Sequence, residues 1–237
     1  MANFITKNIP NTITCCNLIS GGIATFYAFM GDARIALTWI IVGAVFDFFD
    51  GMSARLLNVS SPIGKELDSL ADDITFGLAP SALVFYELTV MDYPSWAEPL
   101  HDYLPFVAFV MAAFSALRLA KFNLDTRQTT SFIGLPTPAN ALFWGSLLVS
   151  HSEWIESSPN NVLAVVAMVL LSSWLLVCDL PMFALKFKTW GLQGNGLRYS
   201  FIALSALVIV WQGVLGSFWI IILLYILISL IASKITK

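Results

Sequence analysis

Two acidic segments follow each other closely in the chain: Asp47-Phe-Phe-Asp50-Gly51-Met-Ser-Ala54-Arg55 and, eight residues later, Gly64-Lys-Glu-Leu-Asp68-Ser-Leu-Ala-Asp72. Asp47 and Asp50 are three residues apart, which places them on one face of a helix. Asp68 and Asp72 are four residues apart and share a face of the following helix. The link between the two helices is short, so we expect antiparallel neighbours whose four carboxylates converge at one end of the pair.

The composition of the surrounding chain indicates a membrane protein. Of 237 residues, 58% are hydrophobic and only 11% are charged, and the mean hydropathy is +0.80. Soluble domains carry about a quarter charged residues, so this chain has too little polar surface to remain in water. We therefore expect an all-α, polytopic, integral membrane protein.

A helix needs roughly 20 mostly apolar residues to cross a bilayer. The sequence predicts eight such helices, at residues 12–31, 35–56, 66–90, 103–122, 136–152, 161–181, 198–214 and 217–233. Neither an internal repeat nor a long linker divides the chain, so residues 1–237 are predicted to form a single domain. The final three spans, within 161–237, are its least characteristic part.

The basic residues predict the orientation of these spans. If both termini are cytoplasmic, one basic residue of the twelve, Arg34, lies outside. The others then lie on the inner side: Lys7, Arg55, Lys65, Arg118, Lys121, Arg127, Lys186, Lys188, Arg198, Lys234 and Lys237. Cytoplasmic loops of membrane proteins are enriched in Lys and Arg, so we expect both termini and the acidic cluster to face the cytoplasm.

Four carboxylates at membrane depth require partners or a function. They repel one another unless cations lie between them, and oxygen ligands without His or Cys favour Mg²⁺, Mn²⁺ or Ca²⁺ over zinc. Gly51, Ala54 and Gly64 leave space on the same faces, and Arg55 adds a cation suited to a phosphate oxygen. These features together indicate a pyrophosphate site. The alternatives are a proton relay or a cation-coupled transporter, with the small residues serving only helix packing.

At these positions the chain resembles the CDP-alcohol phosphatidyltransferase family. Its signature is D-x-x-D-G-x-x-A-R, eight residues, and G-x-x-x-D-x-x-x-D, and every fixed position matches. Within the family the chain is most similar to the serine-using, integral-membrane branch. Three further segments carry this likeness: Ile9 to Gly21, Phe76 to Pro80, and Arg118 to Asn123 with Phe132 to Ala139. Lys121 stands where that branch commonly has Arg, and Asp73 stands where an apolar residue is expected.

The resemblance implies transfer of a phosphatidyl group from CDP-diacylglycerol to L-serine, with release of CMP. It implies that Asp47, Asp50 and Asp68 bind two Mg²⁺ or Mn²⁺ ions, with Ca²⁺ possible in place of either. Asp72 is then either another metal ligand or the general base that takes the proton of the acceptor hydroxyl.

Two further groups of residues are candidates for substrate binding. Those for CDP-diacylglycerol are Asn11, Thr14, Asn17, Gly51, Ala54, Arg55 and Gly64. Those for the serine carboxylate are Arg118, Lys121, Asn123 and Arg127. The alternative for the Asn and Thr side chains is helix capping and packing. The alternative for the basic residues is the ordinary excess of positive charge on the inner side of a membrane protein.

The resemblance also implies a homodimer in a prokaryotic cytoplasmic membrane. The expected partner is then the lipid bilayer, and no nucleic acid is expected to bind. Sequence leaves other acceptors of the same family open, namely glycerol phosphate, inositol phosphate or choline.

Overall fold

The structure is a computed structural model, and it describes residues 4–59, 61–124, 132–182, 191 and 195–235. Nine α-helices occur in the described part: α1 (Phe4–Phe29), α2 (Ala33–Leu57), α3 (Pro62–Asp72), α4 (Ala79–Val90), α5 (Phe109–Leu124), α6 (Thr137–Glu156), α7 (Asn161–Val177), α8 (Gly196–Gln212) and α9 (Val214–Ile235). A π-helical segment, Asp73–Leu78, joins α3 to α4, and 3₁₀ turns at Glu98–Leu100 and Leu104–Ala108 precede α5. The predicted all-α class is confirmed.

The β-structure in the described ranges is a two-residue antiparallel ladder between β1 (Phe132–Ile133) and β2 (Pro181–Met182). It joins the segment before α6 to the segment after α7. Long-range pairing of this kind leaves no periodic signal in so short a stretch, and the sequence did not predict it.

Four of the described helical stretches are long and apolar enough to cross a membrane: Asn8–Phe29, Ala33–Leu57, Leu104–Leu124 and Val214–Ile231. Helices α7 and α8 are apolar but shorter. Large apolar side chains also point outward, for example Phe48, Leu56, Leu207 and Val210, which are 62%, 73%, 67% and 86% exposed. Such a surface suits a hydrocarbon environment. The predicted total of eight spans and the cytoplasmic termini remain predictions.

The link between α2 and α3 is built from local signals. Asn58 ends α2 in the left-handed conformation, with φ of 50°, and its N–H bonds back to the last turn of the helix. Ser61 caps α3 by accepting a hydrogen bond from the Gly64 N–H at 2.9 Å, and Pro62 occupies the first turn, where an N–H is not needed. These caps turn the chain within a few residues and place the acidic faces of α2 and α3 side by side.

The predicted span at 66–90 is not one regular α-helix. Residues Asp73–Leu78 form a π-helical segment, in which the Ala79 N–H donates to the carbonyl of Ile74, five residues back. Pro80 follows directly and has no N–H to continue the α-helical ladder. The wider turn changes which face later side chains occupy, so helical spacing alone fails beyond Asp72.

Helix α1 packs closely against the π segment and α2. The Thr75 hydroxyl reaches α1 and lies 3.0 Å from the backbone carbonyl and 2.8 Å from the side-chain oxygen of Asn17. Gly21 makes this approach possible, because a Cβ there would lie 2.8 Å from the backbone N and Cα of Thr75. Gly43 on α2 faces the same threonine, where a Cβ would lie 2.5 Å from its methyl group.

We predict that Gly21→Ala destabilises the protein, whereas Gly22→Ala does not. The added methyl at Gly21 collides with backbone atoms that cannot move aside, and overpacking of this kind costs roughly 1–3 kcal/mol. A Cβ at Gly22 meets nothing within 4 Å, so this neighbouring variant is the matched control. Thermal unfolding in detergent should show a lower midpoint for Gly21→Ala alone. Equal shifts for both variants would contradict the close contact.

Candidate active site

Three carboxylates from two helices form the centre of the candidate site. One oxygen from each of Asp47, Asp50 and Asp68 lies within 4.8 Å of the others. Asp50 is 7% exposed, while Asp47 and Asp68 are half-buried. At this separation the charges repel strongly in a low-dielectric setting. The sequence predicted that four acids converge, and three of them, Asp47, Asp50 and Asp68, do so within this distance.

Helix α1 supplies the polar groups that orient the acids. The Thr14 hydroxyl lies 2.7 Å from Oδ2 of Asp50 and 3.0 Å from the Pro10 carbonyl. It has one proton, so it donates to one of them at a time. Asn17 donates from Nδ2 to Oδ1 of Asp72 at 3.1 Å. Thr14 and Asn17, both predicted to contact the nucleotide, therefore hold carboxylates in this structure.

Asp72 lies beside the cluster and is oriented by a hydrogen bond of its own. It is 9% exposed, lies one helical turn beyond Asp68 on α3, and is outside the group of three mutually close carboxylates. Its side chain is anchored by Asn17, whose own carbonyl oxygen accepts from Thr75. Asp72 therefore adds a fourth carboxyl group beside the cluster, and Asn17 from α1 orients it.

Thr75 is a residue next to the site that the sequence analysis did not predict. It fixes the orientation of the Asn17 amide by donating to its oxygen, which leaves Nδ2 to face Asp72. The signal available in the sequence was its position three residues after Asp72, one helical turn away. The π-helical segment that begins between them was not visible in that spacing.

A cavity of about 210 Å³ opens beside the acidic cluster. Its lining includes most of the residues predicted to bind CDP-diacylglycerol: Asn11, Thr14, Gly51, Ala54 and Gly64, together with Asp50 and Asp68. Gly64 is required for its shape, because a Cβ there would lie 2.8 Å from Oδ1 of Asn11 and 3.0 Å from Oγ of Ser61. Asn17 does not line this cavity.

Arg55 lies at the edge of the cavity rather than in its wall. It is exposed and borders an adjoining surface depression with Ala54, Asn58 and Val59. Its Nη1 atom lies 3.5 Å from the position that a Cβ of Gly51 would take. The guanidinium therefore folds back over Gly51, beside the entrance to the site.

The four residues predicted to bind serine lie in different surroundings. Arg118 is 7% exposed and interacts electrostatically with Asp72, so it reaches the acidic site. Its Nε has no hydrogen-bond partner among the described residues. Lys121 is exposed, and Arg127 lies outside the described residues.

Asn123, the fourth predicted serine ligand, ties α5 to α3. Its Nδ2 donates to Oγ of Ser69 at 2.8 Å, and its backbone carbonyl accepts from Nζ of Lys65 at 2.8 Å. These contacts give Asn123 a packing role at the end of α5.

Asp73, for which the sequence suggested no role, faces away from the cluster. Its Oδ1 and Oγ of Ser115 flank Gly77, lying 2.6 Å and 2.8 Å from the position of a Cβ there. A side chain at Gly77 would collide with both, so Asp73 marks the contact of the π segment with α5.

The donor set fits a hard divalent cation. All three clustered ligands are carboxylates, which suit Mg²⁺ and Mn²⁺, and the soft or imidazole ligands that favour zinc are missing from the group. Three negative charges within 4.8 Å are most readily stabilised by bound positive charge. The site also opens on a cavity of small side chains, where a phosphorylated ligand could approach.

Comparisons with known proteins agree with this geometry. The family model for CDP-alcohol phosphatidyltransferase matches residues 7–185. A Bacillus subtilis protein named CDP-diacylglycerol–serine O-phosphatidyltransferase is 40% identical over 134 residues, covering 55% of this chain and 69% of the relative. A Helicobacter pylori protein of the same name is 30% identical over 186 residues, covering 78% and 75%. A Saccharomyces cerevisiae protein of that name is 34% identical over 151 residues, covering 55% and 50%. The match spans the acidic helices, the cavity and α5, and the chain therefore belongs to the CDP-alcohol phosphatidyltransferase family.

Proposed function

We propose that the protein transfers the phosphatidyl group of CDP-diacylglycerol to L-serine and releases CMP. The observation that carries the proposal is the cluster of Asp47, Asp50 and Asp68 beside a cavity, with Asp72 oriented by Asn17 one helical turn beyond Asp68. The relatives that share 30–40% identity carry the name of this serine-using activity, which supports serine as the acceptor.

Asp47, Asp50 and Asp68 hold Mg²⁺ or Mn²⁺ in this account, as two ions, and Ca²⁺ is an alternative. Bound divalent ions neutralise the negative charge of the pyrophosphate, so that a nucleophile can approach the phosphorus. Thr14 contributes by donating a hydrogen bond to Oδ2 of Asp50, which helps to fix the orientation of that carboxylate.

The nucleotide lies in the cavity lined by Asn11, Gly51, Ala54 and Gly64. Small side chains on α2 and α3 let phosphates come close to the backbone. Arg55 is at the mouth of the cavity, where its guanidinium can pair with a phosphate oxygen of the substrate. The diacylglycerol chains remain in the surrounding lipid.

Asp72 acts as the general base. It accepts the proton of the serine hydroxyl while the hydroxyl oxygen forms a bond to the phosphorus that bears diacylglycerol. The bond between that phosphorus and the CMP oxygen breaks, and CMP leaves with the electron pair. The hydrogen bond from Asn17 orients Asp72 and leaves its second oxygen for the acceptor.

Arg118 binds the carboxylate of serine. It is the buried basic residue of α5 that interacts with Asp72, so a carboxylate bound there would place the serine hydroxyl near the base. The guanidinium of arginine can donate two parallel hydrogen bonds to a single carboxylate. Lys121, Asn123 and Arg127 are secondary candidates.

The proposed setting is a single-domain protein that crosses a prokaryotic cytoplasmic membrane eight times, with both termini and the site facing the cytoplasm. The bias of basic residues supports this orientation. A site near the inner interface gives soluble serine and CMP direct access to the cytosol. A homodimer is part of the same proposal.

We predict that activity requires a divalent cation and that zinc supports it poorly. The clustered carboxylates repel an anionic pyrophosphate unless cations intervene. Purified protein should release no CMP after exhaustive chelation, and Mg²⁺ or Mn²⁺ should restore release. Undiminished CMP release in the chelated sample would contradict the assignment of the three acids.

We predict that Asp72→Asn lowers kcat by about 10²-fold or more, the usual scale for a lost general base, while CDP-diacylglycerol binding is retained. Asp50→Asn should instead weaken metal and nucleotide binding. The matched control is Glu66→Gln, an exposed acid on the same helix, which should behave like the wild type. Equal loss of nucleotide binding in the Asp72 and Asp50 variants would make Asp72 a metal ligand.

We predict that L-serine is the acceptor and that Arg118→Ala raises its KM by roughly ten- to a hundredfold, as expected for a lost charge-assisted contact. The KM for CDP-diacylglycerol should change much less. Exposed Lys121 on the same helix provides the comparison variant, Lys121→Ala.

An acceptor panel of serine, glycerol 3-phosphate, inositol phosphate and choline tests the reaction itself. Turnover of another acceptor without serine would overturn the serine assignment. Turnover of serine with an unchanged KM in Arg118→Ala would overturn only the role of Arg118, and Arg127 or Lys121 would replace it.

A further inference from the structure

The side-chain amide of Asn17 is fully buried where α1, α2 and the π-helical segment meet. Its oxygen, Oδ1, lies 2.8 Å from the hydroxyl oxygen of Thr75. A Cβ at Gly43 of α2 would lie 2.9 Å from the same oxygen, so α2 closes the other side. A polar group at this depth is costly unless its hydrogen-bonding atoms have partners. The partners of the two ends of the amide therefore indicate its role.

The two ends of this amide have different partners. Nδ2 of Asn17 donates to Oδ1 of Asp72 at 3.1 Å, whereas Oδ1 of Asn17 accepts from the hydroxyl of Thr75. If the amide were rotated by half a turn, its oxygen would face the carboxylate, and two acceptors would oppose each other. The proton of the Thr75 hydroxyl stabilises the orientation in which Nδ2 faces Asp72.

Thr75 is held beside Asn17 by close packing. Its side chain is fully buried, and a Cβ at Gly21 would lie 2.8 Å from its backbone N and Cα. The second acceptor within reach of its hydroxyl, at 3.0 Å, is the backbone carbonyl of Asn17, so both acceptors belong to one residue. The π-helical segment begins between Asp72 and Thr75, and π turns occur frequently at functional sites.

We propose that Thr75 is a positioning residue for the general base. Its hydroxyl holds the Asn17 amide so that Nδ2 donates to Asp72, and this keeps the second carboxylate oxygen of Asp72 turned toward the acceptor hydroxyl. The inference rests on the proposed function, because it takes Asp72 to be the base. It also assigns Asn17 to the base instead of the nucleotide, whose proposed cavity Asn17 does not line.

The chemistry of the two groups suits this task. A general base must stay within hydrogen-bond reach of the proton that it accepts, and a fully satisfied buried network is rigid. An amide and a hydroxyl orient a carboxylate without adding charge. Asp72 is therefore held in place while it keeps the ability to accept a proton.

The test compares Thr75→Val with the wild type in steady-state kinetics with CDP-diacylglycerol and L-serine. Turnover is expressed per CDP-diacylglycerol-binding site, so that unfolded protein is not counted. Valine keeps the branched shape and removes the hydroxyl. Losing this hydrogen bond should lower kcat about three- to tenfold, with the KM values for serine and CDP-diacylglycerol unchanged.

The matched control is Thr89→Val. Thr89 is exposed on α4, and its hydroxyl donates within its own helix, to the Phe85 carbonyl at 2.8 Å. The same substitution there should leave kcat at the wild-type value.

Two further variants separate positioning from packing. Thr75→Ser keeps the hydroxyl and loses the methyl group, so it should retain the wild-type kcat even if its thermal midpoint falls. In an Asn17→Ala background, Thr75→Val should cause no further fall in kcat, because the residue through which Thr75 acts is already missing. Asn17→Ala alone should lower kcat and leave the KM for CDP-diacylglycerol unchanged.

An unchanged kcat in Thr75→Val would overturn the proposal. So would an equal loss of kcat in Thr75→Ser, or a second, additive loss in the Asn17→Ala background. If Thr75→Val does not fold, Asn17→Ala decides, since a raised KM for CDP-diacylglycerol with normal kcat would return Asn17 to the nucleotide. A wild type that does not turn over serine would instead refute the proposed function, and this is seen before any variant is compared.

Discussion

The mutual repulsion of Asp47, Asp50 and Asp68 is the constraint on which the rest of the structure depends. Their oxygens lie within 4.8 Å of one another, on helices whose outer faces are apolar. Such an arrangement is unfavourable unless positive charge occupies the space between the acids. The link after α2, the cap of α3 and the polar face of α1 all serve to hold the acids in this arrangement.

Helix α1 shows how the scaffold separates two kinds of carboxylate. Thr14 contacts Asp50 of the cluster, and one turn further along the helix Asn17 contacts Asp72. Thr75, from the π-helical segment, then fixes the amide of Asn17. This chain of contacts explains why Gly21 and Gly43 are needed, since larger residues would keep the three elements apart. A small shift in α1 would move both the clustered acids and Asp72.

The sequence predicted the acidic faces well because they depend on local helical spacing and on the caps at Asn58 and Ser61. It did not predict the contacts that depend on packing between segments far apart in the chain. The role of Asn123 depends on Ser69 from another helix. The orientation of Asp72 depends on Asn17 from α1 and on Thr75 in the π-helical segment. The β1–β2 ladder joins segments far apart in the chain. No periodic pattern encodes such contacts.

If Asp47, Asp50 and Asp68 bind divalent cations, as proposed, the bound cations can be located by crystallography. Crystals grown with Mn²⁺ should give anomalous difference density between the carboxylates of Asp47, Asp50 and Asp68, at coordination distances of about 2.0–2.3 Å. Asp50→Asn crystals should lose or weaken that density. The account would be contradicted if active, Mn²⁺-containing protein showed no density at the cluster, or showed it bound to other residues.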